Sequence, residues 1–138
     1  LKKLFNLLFL CLLGTMLVAC SNDENFLIRI DVQRVASDDS LEDEDMILDL
    51  ITLDSIKSLL EEVKWEPEEE PEDAGSEDLI ATLFYADEKD KPDELYLYRI
   101  WYNFDDTITI ISNNEEEGYG KLDEEYADKL KSLLESEL

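Results

Sequence analysis

The period and order of the apolar residues predict an α+β fold, with an antiparallel sheet of about five strands and two helices packed on one face. Three observations carry this prediction. Phe26–Val35 alternates with a period of two. Two segments, one around Ile56 and one around Leu130, repeat their apolar residues at helical spacing. Three strand-like runs between Leu79 and Ser112 are separated only by short, turn-rich connections, the pattern of a meander.

Each element has a local reason. In the first strand Phe26, Ile28, Ile30 and Val32 point one way and Arg29, Asp31 and Gln33 the other, as on a half-buried strand. An acidic loop over 36–45 follows. Met46–Thr52 (MILDLIT) reads as a second strand that feeds a helix capped at Thr52 or Asp54. Ile56, Leu59, Leu60 and Val63 fall at i, i+3, i+4 and i+7, and Pro67 prevents continuation. Residues 66–77 are acidic and contain Pro67, Pro71 and Gly75, which predicts an exposed loop. Leu79–Ala86, Glu94–Tyr102 and Thr107–Ser112 are the meander strands, joined by a turn at Asp87–Asp93 and a tight connection at Asn103–Asp106. A loop over 113–120 leads to a last helix that is capped by Asp123 and runs to about Leu134. Its stripe is Tyr126, Leu130, Leu133 and Leu134, and Glu124 and Glu125 suit the dipole at its start.

Charge narrows the function. The 138 residues hold 12 Lys and Arg against 37 Asp and Glu, with no His, for a net charge of -25. Binding to nucleic acid needs clustered cations to neutralise phosphate, so no nucleic-acid partner is expected. Surface-charge attraction to anionic lipid is excluded for the same reason. The lack of His removes the commonest general base and metal ligand. The acidic runs at 38–45, 66–77 and 115–117 read as solvated loops, with cation binding as the alternative. None has the glycine that an EF-hand loop requires. No phosphate-binding glycine motif is present, and Gly118-Tyr119-Gly120 lacks the third glycine of a dinucleotide loop. The reading is therefore a non-enzymatic domain with no catalytic residues, no cofactor and no metal. A small hydrolase using paired carboxylates is the remote alternative.

Location is the most legible property. Lys2 and Lys3 precede an almost wholly apolar run, Leu4 to Val18, the layout of a secretory signal peptide over residues 1–19. Leu17-Val18-Ala19-Cys20 resembles the bacterial lipobox, in which the Cys sulfur receives diacylglycerol and the peptide is cut just before it. The resemblance implies that Cys20 is the lipidation site, that residues 20–25 are a tether, and that residues 26–138 form a single α+β domain. The partner so implied is the membrane itself, at its extracytoplasmic face. Anchoring by acyl chains needs no basic patch, because burial stabilises each CH₂ by about 0.8 kcal/mol. With Cys11 removed and Cys20 acylated, the domain has neither disulfide nor free thiol and relies on its core.

The candidate binding residues lie on Glu94–Tyr102. Tyr96, Tyr98, Ile100 and Tyr102 share one face, and Leu95, Leu97, Arg99 and Trp101 share the other. Both faces are apolar or aromatic. Either this is a central strand covered on its second face, or it offers Tyr96, Tyr98 and Tyr102, with Arg99 near the edge, to a glycan or peptide. Trp65 reads as core.

From Met46 onward the layout of Lys64-Trp65, the Tyr-rich strand 96–102 and the Leu-rich terminal helix resembles small uncharacterised lipoproteins of Gram-positive bacteria, the YhfM-like group. That resemblance implies a location and brings no active residues. The expected function is a lipid-anchored acidic domain that binds a protein, peptide or envelope component. An acidic cation-binding or spacer domain is the alternative.

Overall fold

Among the described residues, backbone pairing draws seven strands, rather than about five, into one antiparallel sheet accompanied by two helices. The computed structural model describes residues 25–69, 75–86 and 94–136. In chain order the elements are β1 (Phe26–Val35), β2 (Leu41–Ile47), α1 (Leu50–Leu60), β3 (Lys64–Glu66), β4 (Leu79–Ala86), β5 (Glu94–Tyr102), β6 (Ile108–Ser112), β7 (Tyr119–Leu122) and α2 (Glu124–Glu135). The sheet order is β2-β1-β4-β5-β6-β7-β3. The chain therefore passes from one sheet edge, β2, through α1 to the opposite edge, β3. The meander β4-β5-β6 occupies the middle, as its sequence predicts.

The strands that depart from expectation are held by backbone pairing more than by buried side chains. β2 starts at Leu41, inside the segment expected to be an acidic loop, and buries only Ile47. It pairs with β1 through Ile30↔Ile47 and Gln33↔Glu44, and Gln33 Nε2 donates to the Glu42 carbonyl at 2.9 Å. Its charges suit an edge strand, since they discourage pairing with another chain. Because β2 ends at Ile47, the residues Leu48 to Thr52 are not strand. The helix begins earlier than expected, with Asp49 as its cap. The Asp49 carboxylate accepts from Thr52 N at 3.0 Å and from Thr52 Oγ1 at 2.7 Å.

β3 and β7 fall in segments expected to be the end of the first helical stretch and a loop. They pair through Trp65↔Gly120. Glycine is required there: a Cβ on Gly120 would lie 2.5 Å from Trp65 Cε3 and 2.6 Å from Val63 Cγ1. Gly118 provides the left-handed turn into β7, with φ of 65°. α2 matches its expected span. Asp123 precedes it, but its carboxylate accepts from Lys64 Nζ at 2.9 Å instead of capping the helix.

One core lies on one face of the sheet. Leu79, Ala81 and Leu83 of β4, Tyr98 and Ile100 of β5, Ile108 and Ile110 of β6, and Leu122 of β7 all project into it. Leu53, Ile56 and Leu60 of α1 and Ala127, Leu130 and Leu134 of α2 complete the same cluster. Residues 1–19, Cys20 and the turn Asp87–Asp93 lie outside the described residues, as does most of the tether.

Candidate functional site

The period of two along β5 divides the predicted binding residues between the two faces of the sheet. Tyr98, paired with Ala81 and Ser112, is only 2% exposed and belongs to the core. Its hydroxyl lies 2.9 and 2.8 Å from the two carboxylate oxygens of Glu117, to which it donates, and Ser112 Oγ donates to Glu117 at 3.0 Å. Trp65 packs against its ring with centroids 5.7 Å apart. Burial first, and the Glu117 charge second, hold the Tyr98 pKa well above the ordinary tyrosine value.

Tyr96 and Tyr102 flank this core and are half-buried. The Tyr96 hydroxyl donates to Glu94 at 2.8 Å, and this bond, with burial, pushes its pKa up to about 12. Its ring meets Tyr85 edge-on at 5.5 Å. Tyr102 lies under α2, with Lys131 Nζ 4.7 Å from its ring centroid. Burial, then the Glu135 charge, raises its pKa. The three tyrosines therefore do not form an open aromatic face. Their common face is covered, and Arg99 is not beside them.

Arg99 stands on the opposite face, which carries no helix among the described residues. Its guanidinium donates to Glu77 from Nη2 at 2.8 Å and lies 5.0 Å from the centroid of the Trp101 ring. Burial is the largest single influence and raises the Glu77 pKa, but the Arg99 hydrogen bond, a backbone hydrogen bond and the Arg99 charge together outweigh it, and the net shift is downward. Trp101 is buried beneath this arginine, and its Nε1 has no hydrogen-bond partner among the described residues. Leu95 and Leu97 of the same face are exposed, opposite Phe84 and Thr82 across the β4–β5 ladder. At the far side of β4, Arg29 donates to Asp31 from Nε at 2.6 Å and Nη2 at 2.7 Å and stacks 4.7 Å over Phe84. The arginines of this face are thus neutralised locally, so the open face is apolar with paired charges inside a strongly anionic molecule.

A second apolar surface lies at the β2–α1 junction. Leu48 is 57%, Leu50 65% and Ile51 79% exposed, and Met46 beside them is also exposed. Concavities border the second helix. One, of about 730 Å³, is lined by Tyr102, Asp106, Thr107, Glu124, Asp128 and Lys131. Another, of about 610 Å³, runs between the helices over Leu59, Tyr126 and Leu133, with Ser55, Ser58 and Ser132 on its walls. Among the described residues, no group of three or more Asp or Glu is placed to hold a metal ion. Among the same residues, no helix is long and apolar enough to cross a membrane.

Sequence reasoning named Arg99 and Tyr98 but missed the carboxylates that bind them, Glu77 for Arg99 and Glu117 for Tyr98. Glu77 lies in a segment read as an exposed loop, and Glu117 in one read as a solvated acidic run. No local signal marks either, because both act through contacts distant in sequence. Compared with protein-family models, curated proteins and solved structures, the chain gives no significant match.

Proposed function

We propose that this chain is an extracytoplasmic lipoprotein, anchored by acyl chains on Cys20. Its acidic domain is non-catalytic and binds a protein, peptide or other envelope component. The observation that carries the reading is the sequence Lys2-Lys3, an apolar run to Val18, and Leu17-Val18-Ala19-Cys20 just ahead of the strand that opens at Phe26. A polar, acidic tether and a strand follow the Cys, as expected of a domain held outside the bilayer.

The open sheet face supports the binding half of the reading. Leu95 and Leu97 are exposed there between the neutralised pairs Arg29–Asp31 and Arg99–Glu77. At a net charge of -25, most of this molecule repels acidic partners, whereas this face presents apolar area with balanced charge. The partner that suits it is a protein or peptide with an apolar contact surface.

Two measurements on the full chain test the proposal. Cys20→Ala is expected to move the protein from the membrane fraction to the soluble fraction, and unchanged membrane partition contradicts the anchor. A photo-crosslinking residue at Leu97 is expected to give a discrete envelope adduct that the same residue at exposed Asp54 does not. Equal labelling at both positions contradicts a binding role for the sheet face.

A further inference from the structure

Exposed apolar residues cluster at the β2–α1 junction. From Met46 to Ile51 the chain reads MILDLI, and of its five apolar residues only Ile47 is buried. The first turn of α1 contains no acidic residue, although the chain has 37 of them. The start of α2 shows the ordinary pattern, with Glu124 and Glu125 in its first turn. In α1 the equivalent positions carry Leu50 and Ile51, which face away from the core formed by Leu53, Ile56 and Leu60. An amphipathic helix normally presents polar residues there.

The position of this patch relative to the tether gives it a purpose. β1 and β2 run antiparallel with Ile30 opposite Ile47, so the end of β2 lies beside the beginning of β1. Lys57 Nζ of α1 donates to the Asn25 carbonyl at 2.8 Å, which ties the same helix to the point where the tether enters the fold. Ser21 to Asn25 is five residues, which span at most roughly 18 Å when fully extended. An acylated Cys20 therefore keeps this end of the sheet next to the bilayer. The tether supplies a high local concentration, so a small apolar contact is enough to orient the domain.

We infer that the domain stands on the bilayer through the β2–α1 junction, with Leu48, Leu50 and Ile51 in the interfacial layer of the lipid. The inference rests on lipidation of Cys20. The flanking Asp45, Asp49 and Asp54 make an uncharged, zwitterionic lipid surface the suitable one. Phe104, also fully exposed, sits on the β5–β6 hairpin at the opposite end of the strands and faces away from the membrane. This orientation leaves the open sheet face accessible from the side.

The test uses the full-length lipidated chain in phosphatidylcholine vesicles, with an environment-sensitive fluorophore placed through Ile51→Cys or Phe104→Cys. Both sites are exposed, so neither substitution disturbs the core. Expected are a blue shift and quenching by spin-labelled lipid at position 51, with neither at position 104. Vesicle-bound protein with no quenching at 51, or equal quenching at both sites, overturns the orientation while leaving the anchor intact. A blue shift at 51 that persists without lipid and grows with protein concentration also overturns it, in favour of contact between two copies. Failure to float with vesicles, together with a bare Cys20 thiol by mass spectrometry, overturns anchor and orientation together.

Discussion

The Tyr98 hydroxyl lies 2.9 and 2.8 Å from the two carboxylate oxygens of Glu117, and this contact joins the middle of the core to the β6–β7 loop. Glu117 also accepts from Ser112 Oγ, and Gly118 directly after it makes the turn that admits β7 to the sheet. The contact thus fixes the strand whose Gly120 leaves room for Trp65. Tyr98→Ala is expected to cost about 3–5 kcal/mol, as for a large buried aromatic. Tyr98→Phe keeps the ring and removes the donor, with an expected cost of about 1–3 kcal/mol. Urea denaturation of the two variants separates packing from hydrogen bonding; equal losses would show that the Glu117 bond carries the whole effect.

Buried tyrosines make the domain sensitive to alkali. Tyr85, Tyr98 and Tyr102 all have folded-state pKa values raised above the ordinary 10.0, in each case chiefly by burial. Tyrosine is neutral when protonated, so a raised folded value means that the native state holds its proton longer than the unfolded chain does. The associated stability is fully present below pH 10.0 and declines as pH rises beyond it. Tyr98 alone contributes a slope of about 1.4 kcal/mol per pH unit in that range. Tyrosinate absorbance is expected to rise together with the loss of secondary structure. Full tyrosine ionisation ahead of unfolding would contradict the burial of these rings.

The open sheet face contains a charge pair that is tightly hydrogen-bonded. Asp31 has a side chain only 7% exposed and is bound by Arg29 at 2.6 Å. The hydrogen bond to Asp31 is the main cause of the raised Arg29 pKa. Arg29→Met strands this carboxylate, and a loss of about 1–3 kcal/mol is expected. The double variant Arg29→Met, Asp31→Leu removes both charges and is expected to recover much of that loss. Thermal melts of the two variants provide the check. A double variant less stable than Arg29→Met alone would show that the pair supports the sheet through its charges.

How much of this was legible in the sequence depends on where each segment's stability comes from. β4, β5, β6 and both helices bury side chains in a regular period, and that period is written in the residues; in β1 a bulge between Leu27 and Arg29 breaks the expected period of two, so Leu27, not Phe26 or Ile28, joins Ile30 and Val32 in the core. β2 and β3 bury little and hold on through backbone ladders, and β7 is only four residues long with Leu122 as its one core side chain, so an acidic run and a glycine-bounded loop concealed them. The helix cap was misplaced because Asp49 stands inside the apolar run MILDLIT, which looks like a buried strand. Most of that run is exposed instead, and apolar composition alone does not distinguish the two. The division of β5 into a tyrosine face and an Arg99 face followed from the pleat. Which of them α1 and α2 would cover did not, because both faces are rich in apolar and aromatic groups.

The location can be tested independently of the fold. The decisive measurement is the mass and modification of the mature N-terminus, recovered from detergent-extracted membranes of cells producing the full chain. The account predicts a protein that begins at Cys20 with diacylglycerol on its sulfur, and a Cys20→Ala variant that never enters the detergent phase. A mature terminus elsewhere, or an unmodified thiol at Cys20, would contradict it.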